Sequence, residues 1–454
     1  MKSKIKTYNP YSNKVLNEYN IDSENDIERI IHDSHSAYKD WKLLEVNNRS
    51  KLLDHLSKRL HNNIEKYSQL ITKEMGKPIS ESKAEIEKCI FLCDFYRKNA
   101  DELLSDEIIE TEANESFISY DPLGVILGIM PWNYPFWQVL RFAIPTLTAG
   151  NTVLLKHASN VTGCALALQE IFEASQYPKG CFQTLIVNHN ATESIIADRR
   201  IKAVSLTGSE KAGKKIAEIA GKHLKKTVLE LGGNNACIIL EDANLEKHLD
   251  TIVKARMQNT GQSCIAAKRF IVVEAIYNKF LTEFTNKVKS ITSGNPSDEK
   301  SQIGVMARKD LADTLEDQIN RSIKNGAIIH FGNERHNTYY QPTILTNVKP
   351  GMAVFDEETF GPLAAIIKVK DKEAAYAMAS NSKFGLGTML FTDDVDDAIE
   401  NIINIEDGAF FINELVKSDP RLPFGGTKNS GYGRELSREG ILEFVNKKTV
   451  YINK

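Results

Sequence analysis

Val125-Ile126-Leu127-Gly128-Ile129-Met130 is apolar throughout and opens a regular series. A helical stretch follows over Phe136–Ala149, then a strand over Thr152–Lys156, a helix over Gly163–Ala174 and a strand over Phe182–Val187. The alternation continues with helix Thr192–Arg199, strand Ala203–Leu206, helix Glu210–His223 and strand Lys226–Leu231. Short apolar strands alternating with helices predict a parallel sheet covered on both faces. Ligands of such sheets sit at the carboxyl ends of the strands. A second α/β series begins at Ala236-Cys237-Ile238-Ile239-Leu240. It passes through helix Leu245–Met257, strand Phe270–Glu274 and helices Tyr277–Lys289 and Leu311–Asn325, and ends near Pro423-Phe424-Gly425-Gly426. Upstream, residues 26–104 carry helical periodicity broken at Met75-Gly76-Lys77-Pro78, which fits roughly three helices. Glu115–Tyr120 alternates as an exposed strand does, and Asp121-Pro122 is expected to end it.

At 454 residues and 42% hydrophobic content the chain can bury large cores, which points to two or three domains. Lys+Arg 57 against Asp+Glu 60 leaves a net charge of −3, so the basic footprint of a nucleic-acid binder is missing. No apolar run is long enough to span a membrane, and no apolar core follows the basic Met1–Lys6 stretch. A cytoplasmic protein is expected. The cysteines at 89, 93, 164, 181, 237 and 264 form no CxxC framework. Cys89 and Cys93 could share a metal or form a redox pair, but two thiols packing on one helix face is the favoured reading. The histidines make no metal-ligand pattern, and no metal site is expected.

Two segments carry chemistry together. Asn259-Thr260-Gly261-Gln262-Ser263-Cys264 presents a thiol just past a glycine turn. Leu229-Glu230-Leu231-Gly232-Gly233 presents a carboxylate between an apolar strand and a glycine pair. A thiolate can attack an aldehyde, and the resulting oxyanion can expel hydride only toward an acceptor such as a nicotinamide. The thioester left behind needs water activated by a base, a task that suits a partly buried Glu230. Glu230 could instead cap a turn or pair with Lys225 or Lys226. Asn133, in Met130-Pro131-Trp132-Asn133, could join the Cys264 amide in an oxyanion hole, or be an ordinary turn asparagine.

No GxGxxG fingerprint occurs; Gly385-Leu386-Gly387 and Gly431-Tyr432-Gly433 lack the third glycine. Thr207-Gly208-Ser209 is the candidate phosphate site, since it ends a strand and starts a helix. By itself that pattern also reads as a plain helix cap.

Six ordered motifs make the chain resemble the aldehyde dehydrogenases over its whole length. They are Pro131-Trp132-Asn133, Leu229–Gly233, Gly261–Cys264, Glu358-Thr359-Phe360-Gly361-Pro362, Pro423–Gly426 and Ser430–Glu435. The resemblance implies an α/β fold: a Rossmann-type cofactor domain over 1–108 and 123–232, and a catalytic domain over 233–430. An oligomerisation arm would comprise 109–122 and 440–454, giving a homodimer or homotetramer. It also implies Cys264 as nucleophile, Glu230 as base, Asn133 as oxyanion donor and Glu435 in a proton relay. Trp132, Lys156, Gly208, Ser209, Glu358 and Phe360 would hold NAD or NADP.

Where the family commonly reads Lys-Pro-(Ala/Ser)-Glu, this chain has Lys156-His157-Ala158-Ser159. A carboxylate at that place repels a 2′-phosphate, whereas Ser159 can hydrogen-bond one, so NADP is expected to be accepted and even preferred. Lys156–Asn160 and Val416–Pro423 look like the short succinate-semialdehyde dehydrogenases. Arg141 would then bind the far carboxylate, with Ser418 assisting and Arg421 or Lys417 as further candidates. A solvated charge on an amphipathic helix is the alternative for Arg141. A second arginine common six residues before the nucleophile is Gln258 here, with Arg256 further back, which leaves the two-arginine clamp and the substrate open. Other aliphatic or aromatic aldehydes remain the alternative. Ser263, Ile265 and Ala266 flank Cys264, so no internal disulfide is expected at the site.

Overall fold

The computed structural model describes residues 4–454. The alternating series folds into a six-stranded sheet in the order Gly431–Tyr432, Lys226–Glu230, Ile201–Thr207, Val125–Met130, Thr152–His157, Phe182–Thr184. All pairs are parallel except the edge strand Gly431–Tyr432, which runs antiparallel with Gly431 opposite Glu230. Val125–Met130 is central, and all of it but Ile129 is buried, as expected of a strand covered on both faces. The chain adds strands first on one side of Val125–Met130 and then on the other. Its reversal point therefore lies between Val125–Met130 and Ile201–Thr207. Crevices at such points lie outside the carboxyl ends of the strands. The loops carrying Asn133 and Ser209 leave those two ends.

The second series forms a seven-stranded sheet in the order Ile328–Phe331, Thr343–Thr346, Leu363–Val369, Arg269–Val273, Ala236–Ile239, Thr388–Phe391, Phe410–Ile412. Only Ile328–Phe331 is antiparallel to its neighbour. A three-stranded sheet joins Val445–Ile452, Glu115–Pro122 and Glu107–Ile108. Its middle strand runs through Asp121 and Pro122, with Pro122 opposite Val445, two residues past the expected end. Glu107–Ile108 pairs only with Phe117 and Ile118, so no ladder donor is required of Pro122 on that side.

Four helices, not three, precede the first sheet: Glu24–Trp41, Val46–Asn62, Ile64–Met75 and Ile79–Leu103. Asn63 alone separates the second from the third, a break too short to register in periodicity. Gly76 closes the third at φ +80°, where a side chain would be strained and a Cβ would lie 2.6 Å from Val305 Cγ2. Cys89 and Cys93 sit on one face of Ile79–Leu103, fully buried beside Leu92 and Tyr96. No helix among the described residues is long and apolar enough to cross a membrane.

Candidate active site

The Cys264 loop follows directly on helix Leu245–Met257. Asn259, Thr260 and Gly261 are all left-handed, with φ of 55°, 55° and 70°. Three such residues in a row reverse the chain at a cost that surrounding contacts must offset. Arg256 supplies much of that. It is fully buried and donates to Ala267 O at 2.8 Å, to Gly261 O and Thr359 O at 3.2 Å, and to Gly361 O. Glu81 accepts from the Asn259 amide at 2.9 and 3.0 Å. A Cβ on Gly261 would lie 2.2 Å from Gly361 O, so only glycine fits there. Arg256 is thus a brace under the loop and lines neither cavity described below.

The same loop rests on the Gly232-Gly233 turn. Cys264 O accepts from Asn235 Nδ2 at 2.6 Å and from Lys268 Nζ at 2.8 Å. A Cβ on Gly233 would come within 2.9 Å of Cys264 O. Lys268 Nζ also reaches Glu358 Oε1 at 2.9 Å, and that oxygen takes the Gly233 amide at 3.1 Å. Both sequence segments are therefore one unit in space. Burial pushes the Cys264 thiol up to about 11, and the Arg141 and Lys268 charges oppose the shift.

Glu230 ends its strand opposite Thr207 on one side and Gly431 on the other. Its carboxylate is buried, neither oxygen has a hydrogen-bond partner among the described residues, and a Cβ on Gly425 would lie 2.7 Å from Oε1. Burial raises its pKa well above the usual carboxylate range, nearby Glu435 adds to this, and Arg141 opposes it. Neither Lys225 nor Lys226 is its partner: Lys225 donates to Asp198 O and Ile201 O, and Lys226 pairs with Glu443. Glu435 is raised too, by burial, with Arg141 again opposing, and Ser205 Oγ lies 3.4 Å from its Oε1.

Arg141 sits on helix Trp137–Thr148, every residue of which is buried. The solvated-helix alternative fails for that reason. Its Nε forms an ion pair with Glu435 Oε2, and its guanidinium lies 4.5 Å from the centre of the Phe424 ring.

Two cavities meet at Cys264 and Gln138. One, of about 360 Å³, is lined by Arg141, Gln258, Ser418, Trp137 and Lys88 as well as Cys264. The other, of about 350 Å³, is lined by Trp132, Asn133, Gly208, Ser209, Gly232, Glu358, Phe360 and Arg308. Trp132 and Phe360 meet edge to face at 5.7 Å, and Arg308 lies 5.9 Å from the Trp132 ring. Asn133 Nδ2 donates to Gln262 O at 3.1 Å, which ties the asparagine to the Cys264 loop. Ser209 caps helix Glu210–Lys222, accepting from the Ala212 amide at 3.2 Å.

Some expected site residues lie outside the lining of both cavities. Arg421 is exposed, ion-paired to Asp419 at 2.7 Å and stacked over Phe91, and lines neither cavity. Its short-range pairing wins because Asp419 is two residues away. Lys156 is buried at the end of its strand and Ser159 is exposed on the turn after it, both outside the lining of the second cavity. The Lys156 charge, followed by burial, lowers the pKa of His189. Lys88, Lys268, Asn235 and Arg308 are not legible in the sequence as site residues. No local pattern marks them, because their roles arise from contacts between distant segments.

With this geometry in view, comparisons with known proteins agree. The aldehyde dehydrogenase family model matches residues 1–450. The chain is 44% identical over 451 residues to a Synechocystis protein named "probable succinate-semialdehyde dehydrogenase [NADP(+)]", covering 99% of each. It is 42% identical to the Escherichia coli succinate semialdehyde dehydrogenase [NAD(P)+] Sad, covering 98% of this chain and 96% of the other. Succinic semialdehyde dehydrogenase from Streptococcus pyogenes, solved with NADP+, superposes with a TM-score of 0.97 at 34% identity, over 99% of this chain and all of that one. The chain belongs to the aldehyde dehydrogenase family.

Proposed function

We propose that the chain oxidises succinate semialdehyde to succinate with NADP+, and with NAD+ as a second cofactor. The observation that carries this reading is the single thiol shared by two cavities, one walled by cationic and hydroxyl groups and the other by a helix N-terminus and an aromatic pair. The relatives named for this substrate and cofactor add to it.

The second cavity suits a nicotinamide dinucleotide. The helix start at Ser209 offers unpaired amides to a pyrophosphate, Gly208 has no Cβ contact nearer than 3.7 Å, and Trp132 and Phe360 offer flat walls. Lys268 and the Gly233 amide hold Glu358 Oε1, which leaves Oε2 for a ribose hydroxyl. Lys156 and Ser159 would meet the adenosine ribose and its 2′-phosphate. When bound, the nicotinamide supplies the hydride acceptor.

The chain's own residues do the rest. Cys264, as thiolate, forms a C–S bond to the aldehyde carbon, and the carbonyl oxygen becomes an oxyanion. One amide hydrogen of Asn133 is held by Gln262 O, so its plane is set and the other hydrogen is free for that oxyanion, beside the Cys264 amide. Loss of the C–H hydrogen as hydride leaves a thioester on Cys264. Glu230 takes a proton from water, the hydroxide adds to the thioester carbon, and the C–S bond breaks to return the thiolate and release the acid. Its raised pKa makes Glu230 a stronger base than a solvent carboxylate. Glu435, paired with Arg141, would pass the proton onward.

A cytoplasmic homodimer or homotetramer completes the reading. The three-stranded sheet supports it, with Ile108 83% and Tyr451 53% exposed, apolar surface suited to a second copy. Steady-state assays of succinate semialdehyde, butanal and benzaldehyde with both cofactors test the activity. A kcat/KM for the semialdehyde at least about tenfold above butanal is expected. Equal turnover of butanal or benzaldehyde would favour the general-aldehyde alternative.

A further inference from the structure

The cavity wall away from the cofactor side contains a cation that no sequence motif marks. Lys88, on helix Ile79–Leu103, and Ser418 line the first cavity and not the second. Lys88 Nζ donates to Ser418 Oγ at 2.9 Å, and Trp137 Nε1 donates to the same oxygen at 3.1 Å. Both lone pairs of that hydroxyl are therefore engaged, and its own hydrogen is left to donate. The ammonium also lies 4.1 Å from the centre of the Trp137 ring, which favours the charged form.

No carboxylate among the described residues pairs with Lys88. Glu85 is committed to Lys77 at 2.5 Å and to the Phe136 and Trp137 amides at 2.8 and 2.9 Å. Asp419 is committed to Arg421. The other cations of the wall stand differently. Arg141 is paired through Nε with Glu435 and keeps Nη2 without a hydrogen-bond partner among the described residues, and Lys417 is exposed and paired with Glu414 at 3.0 Å. Lys254 is exposed. Gln258, which lines the same cavity, is neutral.

We propose that Lys88, with the Ser418 hydroxyl, binds the far carboxylate of the substrate; this rests on the semialdehyde reading above. Three ammonium hydrogens, one held by Ser418 and two free, can meet a carboxylate without moving another ion pair. Burial against the cavity wall, together with the Arg141 charge, lowers the Lys88 pKa to about 8, while Glu85, Cys89 and Asp419 act the other way. Glu81 and Lys254 share the same cavity. The ammonium form, which binds, is thus lost as pH rises through that value, and semialdehyde KM should climb with it.

The test is Lys88→Met, Lys88→Gln and Lys88→Arg assayed on succinate semialdehyde and on butanal, which has the same length and no carboxylate. Lys88→Met and Lys88→Gln should raise KM for the semialdehyde about ten- to hundredfold, keep kcat within about twofold and change butanal kcat/KM by far less than semialdehyde kcat/KM. Lys88→Arg should retain a low KM and lose its rise above pH 8. Butanal turnover reports that each variant is folded. If Lys88→Met does not fold, the rise in the inhibition constant of succinate above pH 8 in the unaltered protein, absent in Lys88→Arg, decides. An unaltered protein with no preference for the semialdehyde over butanal sinks the substrate reading. A preference that survives in Lys88→Met and Lys88→Gln sinks the role of Lys88 alone.

Discussion

Arg141 and Glu435 form a buried ion pair within a cluster that includes a second raised carboxylate, Glu230, and the raised thiol of Cys264. One guanidinium is thus shared electrostatically by three ionisable groups. Removing it leaves a carboxylate buried without a partner, which typically costs about 3 kcal/mol. Arg141→Met should lower the melting temperature markedly. Arg141→Met with Glu435→Gln should recover much of that loss, as a thermal-melt double-mutant cycle would register. Additive effects would mean that the pair is not coupled.

The neighbouring charge of Glu435 raises the pKa of Glu230. Glu435→Gln removes that charge, so Glu230 should deprotonate at lower pH. The acid limb of kcat should move to lower pH in this variant, and an unmoved limb would separate Glu435 from the base.

Burial pushes the Cys264 thiol up to about 11. Alkylation by iodoacetamide should therefore stay slow at neutral pH and quicken as pH climbs toward that value. Arg141 favours the thiolate, so Arg141→Met should move the profile further up. Fast alkylation at neutral pH in the ligand-free protein would contradict this environment. Cys264→Ser should lose about a thousandfold or more in kcat while still binding NADP+.

Gly261 has φ of +70° and no room for a Cβ beside Gly361 O. Gly261→Ala should displace the thiol loop, with kcat falling about a hundredfold even if the protein stays folded. Arg256→Ala should be less stable by about 2 kcal/mol or more, because buried carbonyls at Gly261, Thr359 and Gly361 lose their donor. Urea unfolding measures the second effect, and single-turnover assays the first.

Ser159 is exposed three residues after Lys156, on the turn that follows its strand. Ser159→Glu should cut kcat/KM for NADP+ about a hundredfold and spare NAD+, by placing a carboxylate against the 2′-phosphate. An unchanged cofactor ratio would remove Ser159 and Lys156 from that role.

Much of this protein is written locally. The apolar run Val125–Met130 and its successors specify parallel strands because an unbroken apolar strand is stable only with both faces covered. Glu230, Cys264 and Asn133 stand beside glycine and proline turns, and such turns mark the ends of elements where side chains can face a cleft. What tertiary structure alone decides is pairing. Nothing near Arg141 in the chain foretells Glu435, and nothing near Lys88 foretells Ser418; each contact forms only when helices and loops from separate segments pack together. Arg421 and Arg256 show the converse: one is taken by Asp419 at the surface, and the other by buried carbonyls under the thiol loop. Periodicity and turn chemistry report the backbone of each segment. The partner of a buried charge is chosen by long-range packing, because burying a charge unpaired is costly and only the fold decides which opposite group, if any, it meets.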